Sequence, residues 1–262
     1  MTKLLHAATT DKAWRAYYTV YNQHGHDYPE AFYEEIMRLE FAALTVPCAT
    51  QVAYEIFYKG VKVGKHYTDM ELASSVILEL KVVPILLPRH YAQLVSYLRV
   101  SGKTVGLLLN FGGVKPHGVR RVLTHAELRN QPAWQPDDLD PNLLYPELTK
   151  ELRSAVWEVY HTLGTGFVFR VYANAIYVEL QQRGITCEAI RRLAISHRGQ
   201  AVGDLPLRHF IVDQRVVLLP VAEAAINQSD LNKVRVVMIQ RGLKLGMIVN
   251  FGNEKLEVKY VR

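Results

Sequence analysis

The sequence predicts a mixed α/β protein, α+β in having a mixed sheet, made of two tandem units that each carry an αβββαβ core. The first sign is a long internal repeat: Val105 to Gly112 (VGLLLNFG) returns as Leu245 to Gly252 (LGMIVNFG), with Asn110 and Asn250 140 residues apart. Val63-Gly64 returns as Val202-Gly203, Val20-Tyr21 as Val159-Tyr160 and Tyr33 as Tyr172, all at 139, so one residue is inserted between the earlier and later pairs. Solenoid repeats are far shorter, and a duplication is the reading that fits. The second sign is the succession of helical and alternating patterns within the first copy. The third is Asn130 to Pro141, rich in proline and acid and without periodicity, which reads as a linker. The expected units are 11–120 and 147–262, joined by 121–146.

In the first copy, Lys12 to Gln23 is predicted helical, because Trp14, Tyr17, Tyr18 and Tyr21 recur at helical spacing. Asp27 is placed to cap a second helix, with Tyr28-Pro29 in its first turn and an end near Phe41. Gln51 to Tyr58, Val61 to Leu72 and Val76 to Val83 are β-branched and aromatic, broken by Lys59-Gly60 and Ser74-Ser75, and are expected as strands. Past Pro84 and Pro88, Arg89 to Val100 reads as a helix closed by Gly102, followed by a buried strand from Thr104 to Asn110.

Composition narrows the class. At 262 residues the chain has room for two domains with cores of their own. Cys48 and Cys187 match no metal spacing and no disulfide framework, which points to a reducing cytoplasmic setting. No apolar run nears the roughly 20 residues of a membrane span, and Met1 to Thr10 has no signal-peptide core. The net charge of +6 favours a polyanionic partner only mildly.

Charged residues fall where apolar ones are expected. The second helix has an inward stripe of Tyr33, Ile36, Met37 and Glu40, and Glu30, three residues before Tyr33, is expected on the same side. In the third strand Val76, Leu78, Leu80 and Val82 share one face, and Ile77, Glu79 and Lys81 the other. A tight turn at Ser74-Ser75 sets Asp69 opposite Glu79 or Leu80, about 4.8 Å away. Gln93 and Tyr97, four apart, share a face of the next helix. Carboxylates gathered in this way suit Mg²⁺ or Mn²⁺, with Asp69, Glu79 and Glu30 as ligands, and an adjacent Lys81 suits charge building on a phosphate. The bland alternative is a solvated hairpin face.

Taken together, these residues resemble the GxxExxY family of the PD-(D/E)xK nuclease-like superfamily. The likeness is carried by Gly25 with Glu30 to Tyr33, Tyr58-Lys59-Gly60, Val63-Gly64, Asp69, Glu79-Leu80-Lys81, Gln93 to Tyr97, and Val105-Gly106 through Asn110-Phe111-Gly112. It implies a restriction-endonuclease-like αβββαβ core, a divalent metal and a nucleic-acid substrate, DNA ahead of RNA. It also implies Asp69, Glu79 and Glu30 as metal ligands and Lys81, Gln93 and Tyr97 as catalytic groups.

The second copy keeps the frame, including Val156 to Tyr160 and Leu163 to Gly166, but not the charges. By the 139 offset Phe169 stands for Glu30 and Arg208 for Asp69; by the 140 offset Leu219, Val221 and Lys233 stand for Glu79, Lys81 and Gln93. The expectation is therefore one working nuclease unit and one degenerate unit that supports it or grips substrate, with Lys59, Lys62, Lys65 and Arg208 as phosphate contacts. The alternative is an inactive scaffold on the same fold that self-associates as a homo-oligomer or binds nucleic acid.

Overall fold

A computed structural model describes residues 5–124, 143–253 and 255–262. Most of the expected linker, 125–142, lies outside them. The chain divides into two compact units, Met1–Ile56 with Lys65–Gln131, and Phe57–Gly64 with Pro132–Arg262. The first copy runs α1 (Ala7–His24), α2 (Glu30–Ala43), β1 (Cys48–Tyr58), β2 (Val61–Leu72), β3 (Val76–Lys81), α3 (Pro88–Ser101), β4 (Val105–Asn110) and β5 (His117–Val122). The second repeats it: α4 (Pro146–Leu163), α5 (Phe169–Gln182), β6 (Cys187–His197), β7 (Gln200–Val212), β8 (Val216–Val221), α6 (Gln228–Arg241), β9 (Leu245–Asn250) and β10 (Glu257–Val261). The mixed α/β class and its two tandem units are as the sequence predicts. Among the described residues no helix is long and apolar enough to cross a membrane.

Each sheet has its five strands in chain order. β2 and β3 are antiparallel, β3 and β4 parallel, and β4 and β5 antiparallel. α3 makes the crossover that a parallel pair requires. β4 is buried along its whole length, which explains why it reads as a continuous apolar run. Val76, Leu78 and Leu80 of β3 face the α1–α2 side, in a cluster with Tyr17, Tyr33 and Met37. The alternate residues Ile77, Glu79 and Lys81 therefore lie on the other face.

The NFG of the repeat is structural in both copies. The Asn110 side chain accepts from Val83 N–H at 3.1 Å and donates to Val83 O at 2.8 Å. Asn250 makes the same pair with Glu223, at 3.1 and 3.0 Å. Phe111 stacks on Tyr33 at 4.2 Å between ring centres, and Phe251 on Tyr172 at 4.3 Å. A Cβ on Gly112 would sit 2.3 Å from Val83 N, so only glycine lets the clamped strand end approach. The two tyrosines are anchored alike, donating to Gly25 O at 2.7 Å and Gly164 O at 3.0 Å.

Three expectations need correction. Asp27 does not cap α2: the helix starts at Glu30 behind Pro29 with no side-chain cap, and Asp27 pairs instead with His26 at 3.1 Å. The β2–β3 turn falls one residue early, on Ala73 and Ser74 with φ of 47° and 50°, closed by Ser75 N–H to Leu72 O at 3.0 Å. Finally β5, which extends the first unit to Val122, had no place in the expected order.

Candidate metal and nuclease site

The β2–β3 ladder pairs Leu72 with Val76, Glu71 with Ile77 and Met70 with Leu78, and Asp69 and Glu79 are the next residues beyond its end on the two strands. Asp69 Oδ2 accepts the Leu80 N–H at 2.7 Å, which fixes the carboxylate against the strand. Lys81 Nζ lies 2.6 Å from Glu79 Oε1 and also donates to Leu80 O at 2.9 Å. Glu79 is 2% exposed and Lys81 13%. The second Glu79 oxygen, Oε2, is buried without any hydrogen-bond partner.

The electrostatics follow from that burial. Desolvation pushes the Asp69 carboxyl up to about 6, against the pull of the Leu80 amide and Lys81, with Glu30 and Glu34 adding to the rise. Desolvation and then Asp69 drive Glu79 well above the usual carboxylate range despite Lys81. Burial opposes the Lys81 charge, but Glu79, Asp69 and Glu30 outweigh it and the ammonium is held. The cluster is thus short of positive charge.

Glu30 is not on the buried stripe, which is Tyr33, Met37 and Phe41; it lies exposed in the first turn of α2. It still acts electrostatically on both Asp69 and Glu79. Gln93 donates to the Tyr97 hydroxyl on α3. The Tyr97 ring stacks on His66, 3.4 Å between centres. Burial, then Lys81, lowers His66 to about 4, so α3, β2 and Lys81 converge on one neutral imidazole. No sequence pattern marks His66, because its neighbours come from elements distant in the chain. His90 caps α3, its Nδ1 accepting the Leu87 N–H at 3.0 Å.

The expected phosphate contacts separate. Lys59 is held by Glu179 at 2.7 Å and Glu158 at 3.7 Å within the second compact unit, so its charge is already matched. Lys65 lies over the Tyr67 ring at 4.8 Å. Lys62 is exposed on β2. Arg208 is exposed, its guanidinium 3.8 Å above the Phe169 ring.

The sheet register also revises one equivalence. β7 pairs Phe210 with Leu218 and Val212 with Val216, as β2 pairs Met70 with Leu78 and Leu72 with Val76. The offset is already 140 here, so the extra residue lies inside β7, and His209, not Arg208, takes the place of Asp69.

The donors around Glu79 and Asp69 suit a hard divalent cation: oxygen ligands, excess negative charge and one buried carboxylate oxygen without a partner. Among the described residues, however, no three His, Cys, Asp or Glu side chains stand together as a ready ligand group.

The family whose sequence pattern matches the chain is the PD-(D/E)XK nuclease superfamily, over residues 7–122 and again over 146–262. No curated protein and no solved structure matches it.

Proposed function

The chain belongs to the PD-(D/E)XK nuclease superfamily, and from that premise we propose that its first unit is a metal-dependent nuclease of the GxxExxY branch. The observation that carries this reading is Glu79 Oε2, a buried carboxylate oxygen with no partner beside Asp69 and Lys81. A lone buried acid is costly, and a cation is the group that would satisfy it. Members of the superfamily generally use divalent metal ions. Here Asp69 and Glu79 would hold Mg²⁺ or Mn²⁺, with Glu30 adjusting the charge from the helix end. When bound, the ion supplies Lewis acidity and a nucleophilic water.

The protein's own groups do the rest. Lys81 places a fixed positive charge where the phosphate gains negative charge. Gln93, tied to Tyr97, orients a phosphate oxygen or water by hydrogen bonding. We take 11–120 as the hydrolytic unit, 147–262 as its degenerate copy and 121–146 as the tether. Lys62, Lys65 and Arg208 are the proposed phosphate contacts, DNA the preferred substrate, and the two free cysteines accord with a cytoplasmic setting.

The test is to incubate the protein with single- and double-stranded DNA and RNA, with Mg²⁺ or Mn²⁺ and then with chelator. Cutting that needs metal and disappears in Asp69→Ala and Lys81→Ala supports the proposal. A second reading, an inactive nucleic-acid-binding or self-assembling scaffold, draws on the lack of a ready three-ligand group among the described residues. Binding that is unchanged in both variants, with no cutting under any metal, would favour it.

A further inference from the structure

In the second unit the place of Asp69 is taken by His209, and the change reverses the chemistry. His209 is 1% exposed. Its Nδ1 accepts the Arg208 N–H at 3.3 Å. Burial, and Lys233 after it, lowers its pKa to about 4, with Asp230 opposing, so the ring is neutral at pH 7. A neutral imidazole whose Nδ1 accepts must carry its hydrogen on Nε2. That Nε2 is buried and has no partner. Where the first copy has an acceptor short of a cation, the second has a donor short of an acceptor. Leaving such a donor unmet is costly, which is a reason to look for its ligand.

The surroundings match. His209 lines a cavity of about 870 Å³, within the size range of small-molecule sites. Arg170, Arg191 and Arg208 line it too, and none of its lining residues is acidic. Phe169, under the Arg208 guanidinium, and the half-exposed Tyr177 supply aromatic faces. His209, Arg208 and Phe169 also line an adjoining cavity whose acids already have partners: Asp230 is engaged by Lys233 at 3.6 Å and by the Asn227 N–H at 3.1 Å, and Glu223 accepts from Asn227 Nδ2 at 3.1 Å.

We propose that this cavity is a metal-independent nucleotide site: a phosphate lies against Arg170, Arg191 and Arg208 and accepts from His209 Nε2, and the base stacks on Tyr177 or the Arg208 plane. The inference rests on reading the second unit as the substrate-gripping copy, but it does not need the first unit to cut. The ligand chemistry is the same in a free nucleotide and in one nucleotide of a single strand.

Fluorescence anisotropy of the full chain with labelled dT10 in EDTA tests it. Binding is expected without metal and at least about tenfold weaker in Arg208→Glu, whose exposed position leaves folding intact. His209→Phe, which keeps the ring volume and removes the donor, should weaken binding by about the same factor with its melting midpoint retained. Thymidine monophosphate competing where thymidine does not shows that a free nucleotide suffices; competition only by longer strands assigns the site to nucleic acid. Absence of binding in EDTA, or equal affinity in Arg208→Glu and the parent, overturns the inference. Cutting is read separately with Mg²⁺: a protein that binds dT10 in EDTA but never cuts removes only the nuclease reading, and one that cuts but does not bind dT10 in EDTA removes only this one.

Discussion

Asp69 and Glu79 repel each other at the end of the β2–β3 ladder, and Lys81 bonds one oxygen of Glu79 and leaves the other unmatched. The buried Glu79, the half-buried Asp69 and one ammonium store repulsion in the folded state, which can be measured.

Stability without metal should fall as pH rises. Asp69 moves from an ordinary 3.8 to about 6 on folding, so between those values the folded state binds the proton that the unfolded state has lost. Folding is then favoured at the low end of this window and loses free energy up to about pH 6, by on the order of 1–3 kcal/mol. Glu79, shifted the same way, extends the decline upward. Urea titrations at pH 5 and 7.5 in EDTA check this. Asp69→Asn should be more stable than the parent at pH 7.5 and lose part of the pH dependence.

Metal should reverse that penalty. Binding requires both carboxylates ionised, so the rise in melting midpoint on adding Mn²⁺ should be larger at pH 8 than at pH 5 and vanish in Glu79→Gln. Differential scanning fluorimetry across pH measures it. An equal rise in Glu79→Gln would place the ion elsewhere.

Glu30 separates charge from packing. It is exposed in the first turn of α2, so Glu30→Gln should change stability by less than about 0.5 kcal/mol. Its loss eases ionisation of Asp69 and Glu79 but removes a negative charge that draws the cation to them, so cleavage at limiting metal should nevertheless fall, by roughly tenfold. Paired melting and cleavage measurements on this one variant decide it.

The Asn110 clamp predicts a frame defect of another kind. Asn110→Ala removes a donor and an acceptor from the Val83 backbone and should cost about 2–4 kcal/mol. Asn250→Ala should cost about as much through Glu223. Denaturant titration measures both, and a negligible loss in either would show that the repeated NFG has another purpose.

Much of this is legible in the sequence. The period-two alternation of Val76 to Lys81 places Glu79 and Lys81 on one face, and the internal repeat gives the two units. β5 was hidden because His117-Gly118-Val119-Arg120-Arg121-Val122 neither alternates nor runs apolar, and its place is fixed by β4 alone. The exchange of Asp69 for His209 was hidden for a related reason. No matched pair pins the offset between Gly64 and Val105, so only the hydrogen-bonded register reveals that it has already changed. The inward setting expected for Glu30 failed because it is the first residue of α2, ahead of the buried stripe that begins at Tyr33. Gln93 and Tyr97 were readable as one face, but the His66 ring that completes their stack is brought in by tertiary packing.

The most direct measurement is anomalous diffraction from crystals grown with Mn²⁺. A peak at coordination distance, roughly 2.2 Å, from the Asp69 and Glu79 carboxylates, with none at His209, is the expected result. A peak outside the first unit's acidic cluster, or none at a concentration that supports cleavage, would contradict it.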